Sequence, residues 1–384
     1  MKLGRFIVDT HVHSQRHAAG AALQGSTDYA DLGRAMSRIE AYDNSPRLIY
    51  DMECYDVDMC IVEPAFGMTN ENNLAQVEKY PERFAANCNA KKTRDRAMAG
   101  EIEWTMEAAL EELEGYLKTG KFVGIGEGMP MGMGGGGPSG RGDRYPRFAD
   151  EQTLVRQMFM VCDLARTYHV PVRYHTGTPG GYAIAYHGSP ATYNPLWAHT
   201  LGVNFPDIDI ILEHGGIEGG WWEQFYEACL HVAASHKNIY LETGRWWTDL
   251  YYKALIDPNV GPAKLIWGTD WGASLPLYSQ PGRQPPVYTR QNLNDGIPRH
   301  QVDIWGWSLK QLGRLDIAQD DLNLMLGGNA VRIYKLRTPG GLTRMFKPVD
   351  GARPEPRPEA AAPAPAAAER PREEAARPGQ PSAV

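Results

Sequence analysis

Eight short apolar or β-branched runs alternate along this chain with longer stretches of helical spacing, which restricts it to parallel βαβ units. The candidate strands are Arg5–Thr10, Asp58–Glu63, Arg83–Asn87, Phe122–Glu127, Val170–His175, Asp209–His214, Ile239–Thr243 and Leu265–Asp270. Amphipathic stretches such as Glu101–Leu117, Glu151–Tyr168 and Trp221–His236 lie between them. Eight is the number of parallel strands that closes a barrel, so the expected fold class is α/β, a (β/α)8 TIM barrel. An open doubly wound sheet would need a glycine-rich phosphate turn after the first strand, and VDTHVHS has none.

The 384 residues suit one barrel, since such domains routinely exceed about 250 residues. From residue 348 the chain reads PVDGARPEPRPEAAAPAPAAAERPREEAARPGQPSAV, without an aromatic residue, Leu or Ile. Such a segment cannot bury enough apolar surface to offset its ordering entropy. The expected division is a catalytic domain over 1–347 and a disordered Pro/Ala-rich tail over 348–384. Two long glycine-rich loops, GMPMGMGGGGPSGRGDRYPR and TGTPGGYAIAYHGSPATYNP, follow the fourth and fifth strands. Both leave the strand ends where barrel active sites lie, and a mobile cover over the site is expected of them.

The formal charge of −7, without a basic stripe, argues against nucleic acid or an anionic membrane as partner. No apolar run approaches the roughly 20 residues that span a bilayer. The opening MKLGRFIVDTHVH lacks a secretory h-region, and the five cysteines are odd in number with no C-x-x-C pair. The expectation is a cytoplasmic enzyme with buried thiols, assembled as a homo-oligomer and acting on a small molecule.

The ionisable residues gather at strand ends. His11 and His13 stand at i and i+2, so strand alternation turns both imidazoles to one face, and neutral imidazole is the commonest metal donor. The fifth strand ends in His175, the sixth in His214 and the eighth in Asp270, each placed as the terminal residue. The fourth ends in Glu127, within GIGEG.

DTHVH, YHTG, LEHGG and WGTDWG resemble the strand ends of the amidohydrolase superfamily, and more closely its amidohydrolase-related branch of hydrolases and decarboxylases of aromatic and related acids. NNLAQVEKYPERFAANCN, LGVNFPDIDIILEHGG and LMLGGNAVRIYKL extend the likeness over roughly residues 5–337. The resemblance implies that His11, His13, His175 and Asp270 bind metal, while His214 holds a second metal or acts as a free acid/base. It also makes Glu127 the glutamate that bridges two ions. An anion between two dications screens their repulsion; the competing readings pair Glu127 with Arg173 or make it simply a loop residue. The implied cofactor is a divalent metal, one or two per chain, zinc first, with iron or manganese also suited to His/carboxylate donors.

Around this set, Asp9 is placed to orient His11 and His13. Arg173 shares the face of His175 and must be paired, by Glu127, by Asp9 or by a substrate carboxylate. Arg245 in ETGRWW is a substrate-anion candidate at the rim, and Glu63 in IVEP stands at the end of the second strand. Trp271 and Trp246 are candidates to line an apolar pocket. His187 is the one further histidine singled out. The expected activity is hydrolysis of an acyl bond (ester, thioester, lactone or amide) by metal-activated water, with Asp270 as proton acceptor and donor. The alternatives are a one-metal decarboxylase or lyase with His214 as proton donor, and a metal-binding barrel without catalysis.

Overall fold

The computed structural model describes residues 3–14, 45–64, 69–98, 101–128, 151–177, 194–217, 222–271 and 304–338. The chain divides into two units, Met1–Phe346 and Lys347–Val384, and the second lies wholly outside the described residues, together with the expected tail. Most of the two glycine-rich loops, including His187, also falls outside them.

The strands are β1 (Val8–Val12), β2 (Met59–Val62), β3 (Phe84–Cys88), β4 (Gly124–Gly128), β5 (Val172–His175), β6 (Ile210–Glu213), β7 (Ile239–Glu242) and β8 (Leu265–Ile266). They form one eight-stranded sheet in sequence order, every neighbouring pair parallel. The sheet returns to its first strand just beyond β8. Val12 bridges Trp271 in parallel, His13 N donates to Trp271 O at 2.8 Å, and Asp270 N donates to His11 O at 2.9 Å. The molecule is therefore the (β/α)8 barrel that the alternation of runs implies.

Described helices are α1 (Ser45–Tyr55), α2 (Asn70–Lys79), α3 (Lys91–Met98), α4 (Met106–Leu117), α5 (Glu151–Tyr168), α6 (Trp197–Asn204), α7 (Trp222–Ser235), α8 (Thr248–Ile256), α9 (Ile304–Leu312), α10 (Gln319–Asn323) and α11 (Asn329–Ile333). Helix α4 starts later than the expected Glu101 because the Thr105 hydroxyl accepts the Ala108 N–H and fixes the N-cap there. Among the described residues no helix is long and apolar enough to cross a membrane.

Two apolar layers follow from strand alternation. Outward residues, among them Val172, Ile210, Leu212, Leu241 and Leu265, pack against the helices. Inward residues Val8, Met59, Ile61, Ile211, Tyr240 and Ile266 fill the lower barrel and meet Ala330, Ile333 and Tyr334 of and beside α11. That plug confines the polar inward residues to the opposite end. All five cysteines are free thiols; Cys60, Cys88, Cys162 and Cys229 are buried and Cys54 is exposed.

The bounds of β1 and β8 depart furthest from expectation. β1 begins at Val8 rather than Arg5 and runs on to Val12, because pairing with β2 and with the segment after β8 holds the backbone of His11 and Val12 extended. β8 stops at Ile266, and the chain reaches Asp270 in an irregular path that ends at φ 61°.

Candidate metal centre

The polar end of the barrel is organised around Arg173. Its Nε lies 3.0 Å from Glu63 Oε1 and 2.9 Å from Glu213 Oε1, and its Nη2 donates to Glu242 Oε2. Its Nη1 donates to Thr10 O and, at 3.1 Å, to the Tyr334 hydroxyl. Arg173, Glu63, Glu213 and Glu242 are each fully buried. Three carboxyls on one guanidinium are costly to desolvate, and burial raises all three, Glu63 to about 7. Space for the arginine depends on Gly126, where a Cβ would lie 2.8 Å from Arg173 Cβ. This corrects the expectation for Arg173: its partners are Glu63, Glu213 and Glu242 rather than Glu127, Asp9 or a substrate.

Above this layer stand the candidate ligands. His11, His13, His175 and His214 are buried, and Glu127 is partly exposed. Strand alternation would put Glu213 and His214 on opposite faces. β6 instead ends at Glu213, and His214, Gly215 and Gly216 all take left-handed φ values of 58°, 51° and 83°. That turn lets both side chains face inward, and Gly215 meets it without a Cβ, which would lie 2.5 Å from the Trp246 ring. His214 and Asp270 therefore lie past their strands in left-handed backbone, not at regular strand ends. Such conformations in non-glycine residues persist only where the surroundings enforce them.

The carboxylate of Glu127 faces two different imidazoles. Its Oε2 is 3.6 Å from His13 Nε2, and its Oε1 is 3.7 Å from His175 Nε2. Asp270 Oδ1 lies 3.3 Å from His13 Nε2 and 3.8 Å from His11 Nε2, while Asp270 Oδ2 accepts from Arg245 Nη2 at 2.6 Å. Donor atoms of His11, His13 and Glu127 all fall within 4.8 Å of one another, as do those of Glu127, His175 and His214. Glu127 belongs to both groups.

Two further groups have the spacing of a metal site, His11–His214–Glu242 and His11–Glu63–Glu213. In each, one oxygen of every carboxylate is already held by the Arg173 guanidinium, which neutralises part of their charge within the same buried layer. The two groups that share Glu127 face the barrel mouth without that cation.

Hydrogen bonding tests the fit to metal. His11 Nδ1 is 3.0 Å from Glu242 Oε1, and His13 Nδ1 is 3.2 Å from Glu63 O. Glu242 also accepts the His214 N–H and the Arg173 guanidinium, so it acts as an acceptor, and each ring donates from Nδ1. Burial holds His11 well below the ordinary histidine range, which leaves a lone pair on its Nε2. That atom lies 3.0 Å from His13 Nε2. With both rings donating from Nδ1 the two Nε2 lone pairs converge, an arrangement suited to a shared cation, and Glu127 and Asp270 supply the anionic oxygens that favour a metal. The residues present fit a divalent ion.

Asp9 orients the site from behind. It accepts from the His11 and Thr269 backbone N–H groups at 3.0 Å each and from Trp305 Nε1. It ties β1 to the segment that carries Asp270.

The candidate substrate residues are enclosed. Trp246 is fully buried, donates from Nε1 to His214 O at 3.1 Å and packs edge-on to Tyr226. Trp271 is buried beside Trp305, ring centroids 6.0 Å apart. Arg245 is engaged by Asp270. Glu213 and Glu242 escaped the sequence reading; the available signal was an acid ending each strand beside an inward arginine.

A family model described as Amidohydrolase matches residues 8–336. The chain belongs to the amidohydrolase family, and with it to metal-dependent enzymes. Solved structures similar to it include a probable 2-pyrone-4,6-dicarboxylic acid hydrolase from Acinetobacter baumannii, with 14% identity, 86% of this chain and 99% of that chain covered, and a TM-score of 0.46. Another is 5-carboxyvanillate decarboxylase from Novosphingobium aromaticivorans, complexed with manganese, with 13% identity, 87% and 97% covered, and a TM-score of 0.45. No curated protein matches the chain.

Proposed function

We propose that the protein is a metal-dependent hydrolase that cleaves an acyl bond of a small ester, thioester, lactone or amide, with a dinuclear site bridged by Glu127. The observation that carries this reading is the Glu127 carboxylate, which turns one oxygen to His13 and the other to His175. His11, His13, Glu127 and Asp270 would hold one ion, and Glu127, His175 and His214 the other. A divalent metal held there lowers the pKa of its water toward about 7 and polarises a carbonyl oxygen. Zinc, iron and manganese all suit these donors.

Asp270 is the proton carrier in this reading. Arg245 fixes its Oδ2, and its Oδ1 receives no hydrogen bond among the described residues. That oxygen is oriented to take a proton from water and return it to the leaving group. Burial holds the His214 imidazole well below the ordinary histidine range, a state that suits a metal ligand.

The test is product analysis on metal-loaded protein given esters, thioesters, lactones and amides beside aromatic carboxylic acids. Water-derived oxygen in a carboxylate product is expected. Carbon dioxide release from the acids, without acyl cleavage, would establish the decarboxylase instead.

A further inference from the structure

The geometry points to Glu242 as the positioning residue for both halves of the metal centre, an inference that rests on the metal-site reading above. Its Oε1 lies 3.0 Å from His11 Nδ1, accepts the His214 backbone N–H at 3.2 Å and lies 3.6 Å from His214 Nδ1. One oxygen thus addresses a member of each ligand group that shares Glu127. By accepting from His11 Nδ1 it fixes the tautomer that leaves Nε2 facing His13. By accepting from the His214 N–H it holds the left-handed turn that aims this ring toward His175, whose centroid is 4.8 Å away.

The carboxylate has little freedom to do otherwise. Its Oε2 accepts from Arg173, which Glu63 and Glu213 hold from the other side. Gly268 packs so closely that a Cβ there would lie 2.8 Å from Glu242 Oε2. Both carboxylate oxygens are engaged, Oε2 by Arg173 and Oε1 by His11 Nδ1 and the His214 N–H, which leaves Glu242 no oxygen for a metal ion. A glutamine keeps the shape and reverses one end. If its amide faces Arg173, two donors meet; if it faces His11, Nδ1 must accept and the proton moves to Nε2, the metal-facing atom.

Two substitutions separate positioning from general support of Arg173. Glu242→Gln and Glu213→Gln each remove one carboxylate from the guanidinium, but it is Glu242 whose oxygen meets His11 Nδ1 and the His214 N–H. Zinc affinity would be measured by chelator competition, with metal analysis and thermal midpoints of the chelated proteins alongside. Glu242→Gln is expected to bind zinc about 10–100-fold more weakly than wild type. Glu213→Gln should stay within about threefold of wild type, with a midpoint loss similar to that of Glu242→Gln. Wild-type affinity in Glu242→Gln, or an equal loss in both variants, would overturn the inference. Should Glu242→Gln fail to fold, Glu242→Asp replaces it: it keeps the acceptor but withdraws it from His11, so weaker zinc binding is again expected, and unchanged binding would refute positioning. A wild-type protein that takes up no zinc would overturn the metal-site reading itself.

Discussion

Arg245 Nη2 lies 2.6 Å from Asp270 Oδ2, so the two oxygens of Asp270 have different surroundings: one faces a guanidinium, the other His13 and His11. The pair is almost fully enclosed, which strengthens it relative to a surface salt bridge. In the proposed reaction, Arg245 holds one oxygen of Asp270 so that the other is oriented to accept a proton.

Arg245→Ala should therefore lower kcat by about 10–100-fold while the barrel stays folded. Arg245→Lys should recover only part of the rate, because an ammonium lacks the planar fork. Steady-state kinetics with circular dichroism checks this. Full activity in Arg245→Ala would show that Asp270 needs no such support.

Arg173→Met should destabilise the protein by about 3–5 kcal/mol, because Glu63, Glu213 and Glu242 would be left as unpaired buried acids. Urea unfolding of the chelated protein measures the loss. A stability within about 1 kcal/mol of wild type would contradict the role assigned to this cluster.

Asp9 gives a pH dependence with a definite sign. Burial outweighs its hydrogen-bond donors and lifts its pKa to about 7, against about 3.9 in an unfolded chain. Between those values the folded state keeps a proton that the unfolded state has released. The stability this group contributes is full below about pH 4 and is lost as pH rises through about 7. On moving from about pH 7.5 to about pH 5.5, the chelated wild type should gain about 2 kcal/mol relative to Asp9→Asn. Parallel unfolding curves at the two pH values test it; a difference that does not change with pH would mean Asp9 is ionised throughout.

The sequence disclosed the barrel because alternation of strand and helix is a local pattern, and strand periodicity needs no knowledge of partners. His11 and His13 were legible for the same reason, since i and i+2 in a strand share a face. Arg173 could be read as inward and in need of a partner, but not whose partner, because Glu213 and Glu242 lie 40 and 69 residues further along. The left-handed turns at His214 and Asp270 were hidden too. They arise from hydrogen bonds to Glu242 and to β1 that exist only once the barrel has closed.

Metal stoichiometry tests the bridged site most directly. Wild type, Glu127→Gln and His214→Ala would be loaded with zinc, freed of excess and measured per chain beside their circular dichroism. Saturation close to two ions per chain in wild type is expected, as is loss of ions in Glu127→Gln, most from the His175 and His214 side. His214→Ala should keep the ion on His11 and His13. Wild type saturating at one ion, with His214→Ala also holding one, would contradict the dinuclear hydrolase.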